Sequence, residues 1–141
     1  MRAMRRQFHM DEVKRTGVKT ILRMELECDS RIAFAYLFGS FVADELAFHD
    51  IDLGVYFADP EPVQPSDALD LAERLSARLG LPVDVRALNN APVSFVYQVL
   101  RGELLLSRDD LLLADLIEHS ARVYLDAAPL LRHSTIEAFG R

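Results

Sequence analysis

Cysteine is all but missing from this chain. Cys28 stands alone among 141 residues, so neither a disulfide framework nor a multi-cysteine zinc site can be assembled. Long apolar runs are missing too. The longest, Ile32 to Ala43, is 12 residues even with Gly39 and Ser40 included, against the roughly 20 needed to cross a bilayer. No apolar signal region follows the basic start Met1-Arg2-Ala3-Met4-Arg5-Arg6, and Met4 or Met10 could equally serve as the first residue. Repeats and low-complexity segments are also lacking. These absences lead us to expect a cytoplasmic protein with no membrane attachment.

What is present suits a folded domain. Half of the residues are hydrophobic and 27% are charged, a balance that fills a core and does not match the composition of disorder. The length leads us to expect one domain over 1–141, with a core at about 11–109 and a helical extension over 108–141. The net charge of −6 is unevenly spread. Residues 1–23 hold seven Arg or Lys against Asp11 and Glu12, a local +5, and the remainder sums to −11. The basic leader reads as an exposed helix face or a tail. An acidic body argues against general nucleic-acid binding, which needs a basic face. It suits a chain that gathers cations or docks a basic partner, although a solvated surface accounts for many such charges.

Hydrophobic spacing sets out the elements. Asp11 to about Asp29 reads as a helix with Val18, Ile21, Leu22 and Leu26 inward. Ile32 to Phe38 is continuously apolar, as in a strand buried on both faces. In Ile51 to Phe57, Ile51, Leu53, Val55 and Phe57 alternate with Asp52, Gly54 and Tyr56. Asp59-Pro60-Glu61-Pro62-Val63-Gln64-Pro65 is a loop. The helix after it is expected over Ser66 to Leu79, with Ser66 as N-cap, Leu69, Ala72, Leu75 and Leu79 inward, and Gly80 as its stop. Leu81 to Leu88 gives a third strand, with Asp84 and Arg86 facing away from Val83 and Val85. A helix opens at Pro92, a short apolar segment spans Leu104 to Leu106, and a last helix runs from Arg108 to about Ala127 before Pro129 interrupts it. The expected fold class is α/β (α+β): a small mixed sheet with helices packed on it.

Three aspartates stand where chemistry would place them. Asp50 and Asp52 are two apart at the mouth of a strand, so their carboxylates share a face. Asp84 lies on the next strand and also points away from its apolar side. Such a cluster repels itself unless divalent cations neutralise it, and Mg²⁺ favours a few carboxylates with phosphate oxygens and water. Upstream, Gly39-Ser40 ends the buried strand, where a sharp bend can offer backbone N–H groups and a hydroxyl to a phosphate. A short helix after Ser40 would aim its positive end at the same place. Gly-Ser alone is ordinary turn material, and Asp-x-Asp before a strand is common. The ordered combination is what points to a nucleoside triphosphate site.

Other constellations carry less. Ser40, His49 and Asp50 offer the letters of a hydrolase triad, but there is no Gly-x-Ser-x-Gly elbow. His9, His49, His119 and His133 lack metal-ligand spacing. Cys28 reads as a quiet, partly buried helix residue. Phe95, Val96, Tyr97, Val99 and Leu100 read as core, with a partner interface as the other option.

Tyr36-Leu37-Phe38-Gly39-Ser40-Phe41 followed by Asp50-Ile51-Asp52-Leu53 resembles the signature of the DNA polymerase β-like nucleotidyltransferase superfamily. Val83-Asp84-Val85-Arg86-Ala87-Leu88-Asn89-Asn90-Ala91-Pro92 and Val99-Leu100-Arg101-Gly102-Glu103-Leu104-Leu105 narrow the resemblance to the minimal nucleotidyltransferase (MNT) antitoxins of HEPN/MNT toxin–antitoxin pairs. The resemblance implies a polymerase β-like fold, ATP as substrate and Mg²⁺ as cofactor. It implies that Gly39 and Ser40 hold the triphosphate, and that Asp50, Asp52 and Asp84 form the catalytic metal site. Asp84 would also help deprotonate the attacking hydroxyl. It further implies that AMP goes to a tyrosine of a HEPN-type ribonuclease toxin, which that transfer silences.

Two departures accompany the resemblance. Nine residues, Phe41 to His49, separate Ser40 from Asp50 where the family usually has ten. Val42-Ala43-Asp44-Glu45 replaces the family's small-Arg-Gly element, and its two acids should repel a triphosphate. An antitoxin that neutralises its toxin by binding alone is therefore the alternative. A small-molecule nucleotidyltransferase is a third reading, with little chain after Asp109 to form an acceptor domain.

Overall fold

The structure is a computed structural model that describes residues 7–42, 47–58 and 62–139, with side chains through residue 125. In chain order it runs β1 (Phe8–His9), α1 (Glu12–Glu27), β2 (Ile32–Phe38), β3 (Ala47–Phe48), β4 (Ile51–Phe57), α2 (Pro65–Leu79), β5 (Val83–Ala87), α3 (Val93–Val99), β6 (Glu103–Ser107) and α4 (Asp110–Phe139). The main sheet has the order β5-β4-β2-β6. β2 is antiparallel to both β4 and β6, and β4 is parallel to β5. The mixed sheet with helices on it matches the expected class.

β2 and β4 occupy the spans that periodicity predicts for them. β2 is central, and Ile32 through Leu37 are all buried, because helices or loops cover both of its faces. One face carries Leu37, Leu53, Val55 and Val85 against Val18, Leu22 and Leu26 of α1 and Leu71 and Leu75 of α2. Each such side chain, fully buried, contributes about 1.5–3 kcal/mol. On the opposite face, Phe34 and Tyr36 pack with Val96 and Val99 of α3 and Leu113 of α4.

The fourth strand corrects the sequence reading, which took Leu104 to Leu106 only as a short apolar segment. Phe34 to Leu37 pair with Glu103 to Ser107, and Leu105 is buried while Leu104 is 43% exposed. A buried central strand needs hydrogen-bond partners on both edges, a requirement that five local residues do not announce. The two-stranded antiparallel sheet of β1 and β3 was also unforeseen. Phe8 pairs with Phe48, so this part of the basic leader is strand rather than tail. Residues 1–6, including Met4, lie outside the described residues.

Helix ends and faces shift in instructive ways. Asp11 caps α1 by accepting from Lys14 N at 2.8 Å. For α2 the N-cap is Gln64 rather than Ser66, with Pro65 in the first turn and Asp67 accepting from the Gln64 N–H at 2.7 Å. Leu69 is 60% exposed, and Leu71 takes its expected place inside. Leu71 and Leu75 are one turn apart on the buried stripe, from which Leu69 is rotated far away. Cys28 is exposed at the C-cap of α1 rather than partly buried. α4 begins at Asp110, with Asp109 accepting from Leu112 N at 3.0 Å. It continues through Pro129, where an interruption was expected. A proline in a helix forfeits one backbone hydrogen bond, and a long helix can carry that loss.

Among the described residues, no helix is long and apolar enough to cross a membrane.

Candidate active site

The site forms where four strand ends meet on the second face of the sheet. β2 ends at Phe38, and β4, β5 and β6 all begin at that same end. Register places Phe38 opposite Asp52 and Asp52 opposite Asp84, so one row crosses three strands. Neighbouring strands lie ~4.8 Å apart, which brings the backbones of the two aspartates to that order of separation. Asp50 precedes Asp52 by two residues and lies just before the start of β4.

Gly39 closes this row. Its φ is +81°, in the region where L side chains are strained. A Cβ added there would collide with Oδ2 of Asp52. The glycine therefore lets the backbone bend directly over the Asp52 carboxylate. Ser40 follows, half-buried in the turn, and Val42 N–H donates to the Gly39 carbonyl at 3.3 Å. The helix expected after Ser40 does not begin within 41–42. Ala43, Asp44 and Glu45 lie outside the described residues.

Asp84 has a specific partner. Arg86 Nε donates to its Oδ2 at 3.3 Å, and both side chains are about half exposed. The guanidinium also lies 5.9 Å from the Phe95 ring centroid, and Phe95 meets Phe38 edge-on at 5.6 Å. An aromatic pair from β2 and α3 thus walls the inner side of the aspartate row. Phe95 was read from sequence as core, with a partner interface as the other option; its place in this wall depends on α3 crossing the sheet, which no spacing in the chain encodes.

At side-chain level, the described residues include no group of three His, Cys, Asp or Glu gathered to hold a metal ion. Asp52 and Asp84 lie in register on neighbouring strands, with Asp50 just before β4, and they do not close into such a group. The donor set still fits magnesium, which is held by one or two carboxylates while substrate phosphates and water complete its octahedron. The three residues offer hard oxygen donors beside a bend that exposes backbone to a phosphate.

The anchoring of the bend is aromatic and basic. Arg15 Nη1 donates to the Phe41 carbonyl at 2.6 Å, and its guanidinium carbon lies 5.0 Å from the Phe41 ring and 5.2 Å from Phe48. Phe41 and Phe48 meet edge-on at 4.8 Å. The chain on both sides of the undescribed residues 43–46 is thereby tied to α1.

Comparisons with known proteins follow the same geometry. The model of the family described as "Polymerase beta, Nucleotidyltransferase" matches residues 20–111. No curated protein matches the chain. Among solved structures, one similar chain comes from tri-AMPylated Shewanella oneidensis HEPN toxin in complex with MNT antitoxin. It is 20% identical with a TM-score of 0.63, over 90% of this chain and 99% of that one. A chain of the toxin–antitoxin MntA-HepT is 20% identical with a TM-score of 0.61, over 89% and 98%. A chain of a toxin–antitoxin with AMP-PNP is 22% identical with a TM-score of 0.63, over 87% and 97%. At these identities the likeness is one of fold.

Proposed function

The chain belongs to the polymerase beta nucleotidyltransferase family, and from that membership we propose that it transfers AMP from ATP to a tyrosine of a HEPN-type toxin, as that toxin's antitoxin. The carrying observation is the row in which Asp52 faces Asp84 across parallel strands while Gly39 bends over Asp52. The solved complexes of similar fold, one with a tri-AMPylated HEPN toxin and one with AMP-PNP, support the acceptor and the nucleotide. The cytoplasm, where ATP is at hand, is the compartment this reading requires.

Asp50 and Asp52, with Asp84 beside them, would hold magnesium, which would supply charge neutralisation on the phosphate oxygens. The Gly39 bend and the Ser40 hydroxyl receive the triphosphate. Asp84 accepts the proton of the attacking hydroxyl. The tyrosine oxygen then bonds to the α-phosphorus as the bond to pyrophosphate breaks, and pyrophosphate leaves with that electron pair. The work of these residues is positioning and electrostatics, the main resources in phosphoryl chemistry.

The test is transfer of label from α-labelled ATP to the partner toxin with magnesium present. Label on the toxin that disappears in Asp50→Asn with Asp52→Asn supports transfer; label that persists in that variant ends the claim. The Asp84–Arg86 pair favours a second reading, neutralisation by contact alone. That reading expects a stable complex and an inhibited toxin with no label in either protein.

A further inference from the structure

A cleft of about 310 Å³ opens beside the Gly39 bend, lined by Phe38, Gly39, Val42, Gln98, Arg101 and Gly102. Its far wall is the turn between α3 and β6. That turn is pinned: Gly102 N–H donates to the Val99 carbonyl at 2.9 Å, and a Cβ on Gly102 would strike the Leu37 carbonyl oxygen. The next residue, Glu103, pairs with Leu37 in the β2–β6 ladder. Arg101 is therefore set at a fixed place across the cleft from Gly39.

Among the described residues, the guanidinium of Arg101 has no hydrogen-bond or ion-pair partner, and in this it differs from its peers. The other arginines with described side chains donate to a carboxylate or a backbone carbonyl, as Arg86 does to Asp84 and Arg23 to the Leu105 carbonyl at 2.9 Å. Arg101 is exposed and pairs with no acid among the described residues. Its guanidinium lies over the Tyr97 ring, 5.9 Å from the centroid. Tyr97 is itself stacked on Tyr124 at 4.4 Å, nearly parallel. A cation–π contact of this kind orients a guanidinium while leaving its five N–H donors free.

We propose that Arg101 binds the β- and γ-phosphates of the nucleotide and so sets the preference for a triphosphate over a monophosphate. This rests on the nucleotide reading above. Asp52 and Asp84 stand in register on the strands beside the Gly39 bend, so a polyphosphate approaching Gly39 benefits from positive charge beyond the metal. A guanidinium supplies it in a planar fork suited to phosphate oxygens, which an ammonium matches only as a point charge. The sequence has no Arg or Lys between Gly39 and Asp50; the cation comes instead from the far wall of the cleft.

The experiment measures binding of ATP and of AMP, each with magnesium, by calorimetry on the full chain. Four proteins are compared: the unaltered chain, Arg101→Ala, Arg101→Lys, and Asp50→Asn with Asp52→Asn. The expected result is about tenfold weaker ATP binding in Arg101→Ala, with AMP binding unchanged and part of the ATP affinity restored in Arg101→Lys. ATP binding in Arg101→Ala that equals the unaltered chain, while the double aspartate variant loses it, overturns the role of Arg101 and leaves the nucleotide reading standing. Equal weakening of ATP and AMP also overturns it, since the phosphate tail is then not what Arg101 reads. An unaltered chain that binds no ATP at all overturns both.

Discussion

The two faces of the main sheet are built from the same strands and do opposite work. On the face beneath α1 and α2, Leu37, Leu53, Val55 and Val85 form a continuous apolar layer with Leu22, Leu26, Leu71 and Leu75. On the other face, α3 and α4 cover only part of the strands. Phe34 and Tyr36 are buried there, but the row Phe38–Asp52–Asp84 extends beyond the covered part to the strand ends. Carboxylates tolerate such a position because water and counter-ions remain within reach, whereas unpaired charges in the first layer would cost several kcal/mol each. One face holds the fold together so that the other can keep its charges close.

That contrast can be broken from either side. The largest expected effect is on chemistry: Asp52→Asn should lower AMP transfer by about 10²–10³-fold, while the thermal midpoint stays the same or rises as repulsion with Asp84 is relieved. A loss of both activity and stability would show that Asp52 belongs to the structural layer after all. Next is Leu53→Ala, one residue away in sequence and on the opposite face. It should cost about 2–5 kcal/mol of stability by denaturant titration, with the folded fraction keeping its specific activity.

Gly39→Ala should act on both properties through one cause. Its positive φ and the collision with Asp52 Oδ2 predict about 1–3 kcal/mol of strain and a weakened site, read as a higher KM for ATP. Arg86→Ala should have a smaller effect: removing the cation beside Asp84 makes the row more negative, so half-maximal activity should come at roughly two- to threefold lower magnesium. No change in magnesium dependence would mean that the pair stands apart from the site.

The smallest effect belongs to the structural side. The backbone N–H of Gln64 and then the guanidinium of Arg31 hold the Asp67 carboxyl below its ordinary range. A lowered folded-state value stabilises the fold above the unfolded-state value, and that contribution is lost as pH falls through the folded one. Asp67→Asn should therefore lower the thermal midpoint slightly at neutral pH and flatten its fall in acid. An unchanged acid limb would remove Asp67 from the balance.

Legibility followed the range of the interactions involved. β2 and β4 were readable because alternation and continuous apolarity are local patterns that burial enforces residue by residue. Asp50, Asp52 and Asp84 could be assigned to one side of their strands for the same reason. Gln64 was missed as a cap because Ser66 is the better capping type, while Pro65 and Asp67 together fix the cap two residues earlier. Leu69 was misplaced because the run of leucines admits more than one helical stripe. β6 showed locally only as a short apolar segment, and the place of Arg101 beside the cleft left no local trace. One needs β2 as a partner, and the other matters only through a turn packed against the Leu37 backbone.

The amino-acid order alone determined β2, β4 and β5 and the acidic residues near their ends, because side-chain patterning is a property of an extended chain. Only the tertiary structure decided that β4 and β5 align Asp52 with Asp84, that Arg86 leans on Asp84, and that Arg101 stands across a cleft from Gly39. Strand register and the approach of a turn to a distant backbone are set by contacts between residues far apart in the chain, and no local spacing carries them.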